Sequence, residues 1–237
     1  MKNILLVGSS SKVSIDLFDK HSNNYNFIRL SRNHVFSDFK DFDILDTLTF
    51  PKIESLDGII YFPGNINLKP FKRIKIEEFQ NDYNINVVGL LNILKFYERN
   101  LNNNSSIVMF SSVAAKVGMP FHSSIALCKS AITSLSRTLA AEWSPKVRLN
   151  TISPSLFDST MSQKFLKDED MIERMSNKHP LNRVGSASDI SSMINFLISE
   201  QSSWITGQDF SVDGGMSTVV KWSKFYGNIN TSFFHLF

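Results

Sequence analysis

Residues 7–15, V-G-S-S-S-K-V-S-I, carry a short apolar run into a helical-period segment through a turn of small side chains. Such turns let backbone N–H groups and a helix N-terminus meet a pyrophosphate, because unpaired N–H groups and the helix dipole both favour an anion. Gly8 anchors the turn, Ser10 and Ser11 extend it, and Lys12 and Ser14 stand where the usual dinucleotide fingerprint has two further glycines. Lys12 reads in two ways: an ammonium offered to phosphate, or a block on the close approach that glycine permits. A Gly/Ser turn after a strand is also often only a turn. At the end of the next apolar run, Ser31 is followed by Arg32. An acidic residue there would bond a ribose 2′-hydroxyl, whereas a basic one accepts a 2′-phosphate. Arg32 therefore favours a 2′-phosphorylated dinucleotide, its plainer reading being a solvated loop arginine. His122 brings an imidazole, a side-chain type able to act as a proton donor in catalysis. Its plainer reading is a surface or capping residue at a helix start.

These side chains need a scaffold that alternates strand and helix. Short β-rich runs at 3–7, 26–30, 43–45, 58–62, 106–111, 148–152 and 208–212 alternate with helical periods at 76–99, 124–143 and 188–199. This is the pattern of βαβ units and predicts a single-domain, doubly wound α/β fold of about seven mostly parallel strands with helices on both faces. Residues 100–104 read as a surface loop. The long connection at 155–180 follows a strand end, where open α/β sheets place ligands, and reads as a lid over the substrate. Ile125, Cys128, Ile132, Leu135 and Leu139 recur at helical spacing and read as one buried stripe.

Bulk properties narrow the classes. The 237 residues are 42% hydrophobic and 20% charged, ordinary values for a globular chain. The net charge of +3 comes from residues spread along the sequence, with no basic run fit for nucleic acid. Cys128 is the sole cysteine, so no internal disulfide forms, and a reduced cytoplasm is the expectation. No signal segment is read at the start, no stretch approaches a membrane span, and no residue set is assigned to a metal.

Further landmarks come in order: Y-F-P-G-N at 61–65, N-V-V-G at 86–89, I-V-M-F-S-S at 107–112, R-L-N-T-I-S-P at 148–154, P-L-N-R-V-G, I-T-G-Q and V-D-G-G. Together they resemble the short-chain dehydrogenase/reductase family over residues 1 to 219, and the phosphate turn partly resembles its enoyl reductase branch. The resemblance implies a Rossmann fold and an oxidoreductase that reduces a carbonyl or activated double bond of a small molecule. It places Asn86, Ser112 and Lys129 at three of that family's four catalytic positions. Ser112 would donate a hydrogen bond to the oxygen that gains negative charge. Lys129 would bond the nicotinamide ribose and lower the pKa of a neighbouring acid. Asn86 would hold a water that relays protons. Pro63 and Gly64 fall in the cofactor-contacting turn, Asp46 and Thr47 in the adenine-contacting stretch, Pro154 beside the nicotinamide and Ser159 at its carboxamide. An Asp at a strand end is equally a turn cap. NADP is the expected cofactor, NAD the less expected one.

The fourth position, a tyrosine in that family, is Ile125, which neither donates nor accepts a proton. His122, seven residues before Lys129, matches the Tyr-to-Lys spacing of the enoyl reductase branch and is the candidate substitute acid. Water-mediated protonation through Ser112 and Asn86 is the other route, slower by the 10²- to 10⁴-fold, roughly, that a lost general acid costs. The alternative function is a dinucleotide-binding or structural subunit with impaired turnover. A tail at 220–237 carries Trp222, Phe225, Tyr226, Phe233, Phe234 and Phe237, which predicts an interface and a homodimer or homotetramer.

Overall fold

The computed structural model describes residues 1–220, so the aromatic tail lies outside the described residues. Six strands, β1 (Lys2–Val7), β2 (Tyr25–Leu30), β3 (Leu56–Tyr61), β4 (Leu101–Phe110), β5 (Val147–Pro154) and β6 (Asp209–Val212), form one sheet. Their order is β2-β1-β3-β4-β5-β6 and every pairing is parallel. Six α-helices connect them: α1 (Lys12–His21), α2 (Ile76–Tyr83), α3 (Gly89–Tyr97), α4 (Ser123–Trp143), α5 (Glu169–Ser176) and α6 (Ala187–Ile198).

A parallel sheet covered on both faces needs apolar residues at successive positions, because alternate side chains point to opposite cores. In β1, Leu5 and Val7 join Leu90, Ile93, Cys128 and Ile132 beneath α3 and α4. Ile4 and Leu6 join Val13, Leu17, Ile190 and Ile194 beneath α1 and α6. Both cores are apolar, and truncating Leu5 or Leu6 to alanine costs about 2–5 kcal/mol by cavity formation. Because β2 and β3 lie on opposite sides of β1, the chain switches direction there. The crevice at the carboxyl ends of β1 and β3 is thus the topological switch point, where such sheets bind ligands.

Three segments differ from expectation. Residues 43–45 form a single antiparallel bridge, Asp43 to Asp46, rather than a seventh strand. Side chains displace the ladder there: Asp43 accepts from Leu45 N, Asp46 from Leu48 N, and Thr49 Oγ1 from Asp43 N. Residues 101–104 belong to β4, where Asn102 donates to Asp57 and Asn104 N bonds Lys146 O, Asn104 taking φ +65°. Finally, the helix expected over 76–99 is interrupted by a π turn at Asn84–Val88. The Tyr61 hydroxyl, wholly buried at the end of β3, donates to Ile85 O at 3.1 Å inside that turn. Gly89 permits it, since a Cβ there would stand 2.7 Å from the Tyr61 oxygen.

Candidate active site

The phosphate turn is built by backbone. Gly8 takes φ +82°, and the N–H groups of Gly8 and Ser9 both bond Leu30 O, tying the turn to the end of β2. Ser11 caps α1, its hydroxyl accepting from Ser14 N at 3.1 Å, which leaves the earlier first-turn N–H groups for a ligand. Ser31 Oγ lies 3.1 Å from Ser10 Oγ, so the residue that precedes Arg32 touches the phosphate turn. Arg32 itself is exposed and makes no hydrogen bond or ion pair among the described residues. On its other side the turn abuts Pro63: a Cβ on Gly8 would stand 3.0 Å from Pro63 Cδ.

From Pro63 the wall continues to a buried corner. A Cβ on Gly64 would stand 2.9 Å from Asn86 Oδ1 and 3.5 Å from Lys129 Nζ, so these three expected residues converge. Asn86 sits in the π turn and is fully buried, and π turns inside helices are frequent at functional sites. Its Nδ2 donates to Asn65 Oδ1 at 2.6 Å and to Asp82 O at 2.9 Å, while its Oδ1 has no partner. Lys129 is 8% exposed, and its ammonium donates to Phe110 O at 3.0 Å. Burial pushes its pKa down to about 8. Ser111 and Thr133 pin α4 at this level, Ser111 Oγ donating to Lys129 O and Thr133 Oγ1 to Ser111 Oγ. Ser112, the next residue on the strand end, accepts from Ala114 N at 3.1 Å and keeps its hydroxyl proton for another acceptor.

The other expected residues are occupied differently. Lys12 is ion-paired with Asp158 at 2.8 Å, which ties the segment after β5 to the turn after β1 instead of leaving the ammonium open. Ser159 exchanges hydrogen bonds with Ser162 in a local turn. Asp46 caps a 3-10 turn and Thr47 opens it, both exposed. Pro154 ends β5, and Ser155 after it bonds His179 Nε2 at 2.8 Å. His122 is half-buried before α4, and its ring bonds only the Pro120 carbonyl among the described residues. Ile125 is 4% exposed, while Cys128 and Ile132 lie in the core with Leu135 and Leu139 packed against it.

Several supporting residues escaped sequence reasoning: Tyr61, Asn65, Asp82, Ser111 and Ser124. Asp82 had a legible signal, because it lies four residues before Asn86 on one helix face where an apolar residue is expected. It is 2% exposed, accepting from Asn65 Nδ2 at 2.5 Å and Ser124 Oγ at 2.6 Å. Among the described residues no group of three or more His, Cys, Asp or Glu is placed to hold a metal, and no helix is long and apolar enough to cross a membrane.

Residues 45–217 match a family model described as enoyl-(acyl carrier protein) reductase. A tropinone reductase homolog of Arabidopsis thaliana is 38% identical over 113 residues, 47% of this chain and 43% of that protein. The chain spans about half the length of the curated relatives it matches. The ligand-free aldohexose dehydrogenase of Thermoplasma acidophilum superposes with a TM-score of 0.85 at 22% identity, over 92% of this chain and 95% of that one. A gluconate 5-dehydrogenase from Burkholderia cenocepacia, solved with NADP and tartrate, superposes at 0.82 with 18% identity, over 92% and 96%. At such identities the superpositions speak for the fold alone. With its ordered landmarks, its parallel sheet and a family model matched over most of its length, the chain belongs to the short-chain dehydrogenase/reductase family.

Proposed function

We propose that the protein is an oxidoreductase that holds NADPH in preference to NADH and reduces a carbonyl or activated double bond of a small molecule with an altered proton donor. The observation that carries this reading is the buried corner, where an ammonium and an unpartnered carboxamide oxygen meet beside a glycine that leaves room for a ligand. Buried polar atoms are almost always bonded, so Asn86 Oδ1 calls for a donor from a ligand or a water. Gly8, Ser10, Ser11 and the first turn of α1 would hold the pyrophosphate, Arg32 the 2′-phosphate, and Pro63, Gly64, Lys129, Pro154 and Ser159 the nicotinamide half. NADPH supplies a hydride when bound. Ser112 would offer its free hydroxyl proton to a substrate oxygen that gains charge, and Lys129 would hold the ribose with its ammonium.

Proton delivery passes either from His122 or through water at Asn86, since Ile125 supplies none. The reading carries with it a cytoplasmic setting and a homodimer or homotetramer, which light scattering tests. Titrating the purified protein with NADPH and NADH is the direct experiment. Micromolar NADPH binding, clearly tighter than NADH, is expected, and binding of neither overturns the reading. A second reading, a dinucleotide-holding subunit with lost turnover, is favoured by the buried Ile125 and by the Lys12–Asp158 pair. Tight NADPH binding with no reduction across a carbonyl and enone panel would select it.

A further inference from the structure

Asp82 is a buried carboxylate outside the family-like set, and its hydrogen bonds run in a fixed direction. A carboxylate that takes two donors can only accept, so Asn65 must turn its NH₂ towards Asp82 Oδ1, at 2.5 Å. Asn65 then has only its carbonyl oxygen left to face Asn86, which answers with Nδ2 at 2.6 Å. The Asp82 backbone carbonyl, also an acceptor, takes the second Nδ2 proton at 2.9 Å. The remaining oxygen of Asn86 is left facing the Gly64 and Lys129 side without a partner. Ser124 closes the far end of the chain by donating to Asp82 Oδ2 at 2.6 Å.

We infer that Asp82 is a positioning residue: through Asn65 it fixes which end of the Asn86 carboxamide faces Lys129. Were the carboxamide reversed, its NH₂ would face the ammonium, donor against donor, and its oxygen would face Asn65 Oδ1 and the Asp82 carbonyl, acceptor against acceptor. The fixed direction thus keeps an acceptor beside the Lys129 ammonium. This inference rests on the reading of Asn86 and Lys129 as the cofactor corner.

Asp82→Asn is isosteric and leaves the packing intact, but its amide accepts or donates, so Asn65 is free to reverse and the Asp82 backbone carbonyl is left as the one group that orients Asn86. The double substitution Asp82→Asn with Asn65→Asp restores the direction, because an acceptor-only carboxylate at 65 again takes the Asn86 NH₂. Side-chain amide NMR of the free protein reads this without cofactor. The Asn86 NH₂ pair is expected to be single and protected in the wild type, doubled or broadened in Asp82→Asn, and single again in the double variant. NADPH affinity should fall about fivefold in Asp82→Asn, the size of one ordinary hydrogen bond, and recover in the double variant. An unchanged Asn86 pair in Asp82→Asn, or a double variant no better than the single, overturns the inference. If the wild type binds no nucleotide, the proposed function falls while the amide signals still decide the role of Asp82.

Discussion

The corner at the end of β3 and β4 and the 155–180 segment beyond β5 are both rich in polar side chains, yet they treat them in opposite ways. In the 155–180 segment the polar groups at its root are matched within the protein: Asp158 with Lys12, Ser159 with Ser162, and Ser155 with His179, whose Nδ1 bonds Met175 O. In the corner, Asn86 Oδ1 is buried and one bond short, while Ser112 keeps a spare proton and Lys129 has one bond, to a carbonyl. Pairing that is complete holds a segment in place. Pairing that stops one bond short at a buried position costs stability and leaves an acceptor that a water or a ligand can satisfy.

Restoring the missing acid sharpens the contrast most. Ile125→Tyr should raise NADPH-dependent carbonyl reduction by about 10²- to 10⁴-fold if the corner is otherwise complete. Overpacking at this buried site would cost about 1–3 kcal/mol, read by thermal melting. No gain would mean that the corner lacks more than the tyrosine.

Lys129→Met should weaken NADPH binding by roughly 10- to 100-fold, the range of a lost charged hydrogen bond, in a calorimetric titration. It should not weaken folding at neutral pH, because a buried ammonium resists burial. The lysine also sets a pH signature. Its folded pKa is about 8 against an ordinary 10.5, so between those values the unfolded chain binds the extra proton. Stability therefore rises with pH across that window, by at most about 1.4 kcal/mol per unit, and the rise should vanish in Lys129→Met.

Arg32→Ala should weaken NADPH by about tenfold and leave NADH unchanged, as loss of one charge-assisted phosphate contact predicts. The smallest effect belongs to the 155–180 segment. Asp158→Asn breaks an exposed ion pair, with side chains 38% and 57% accessible, and should shift stability by less than about 1 kcal/mol. Proteolysis within residues 155–180 should nevertheless accelerate, and a freed Lys12 should tighten NADPH binding slightly.

The sequence carried the sheet well where burial wrote it: β1 and the apolar part of β4 read as near-continuous hydrophobic runs because both faces are covered. It misread residues 43–45, where Ile44 and Leu45 look strand-like but Asp43, Asp46 and Thr49 satisfy the backbone locally. The asparagines that open β4 look like a loop, and they lie in a register irregularity between the paired Leu101 and Ser105, held by Asn102 on Asp57 and Asn104 N on Lys146 O. Within the site, Gly64, Asn86 and Lys129 were legible by type and order, and the structure brings them together. The polar chain behind them was not, since Asn65, Asp82 and Ser124 come from three separate segments and meet only in the fold. Nor does sequence tell that Lys12 and Ser159 find partners within the protein.

One measurement bears most directly on the claim that the Lys129 corner is a nicotinamide dinucleotide site: calorimetric titration of NADPH across pH 7 to 9.5, wild type beside Lys129→Met. A charged Lys129 favours the cofactor, and binding raises its pKa, so wild-type affinity should decline as pH climbs past about 8 while the weaker binding of the variant stays flat. Affinity that is independent of pH and equal in the two proteins would contradict the account.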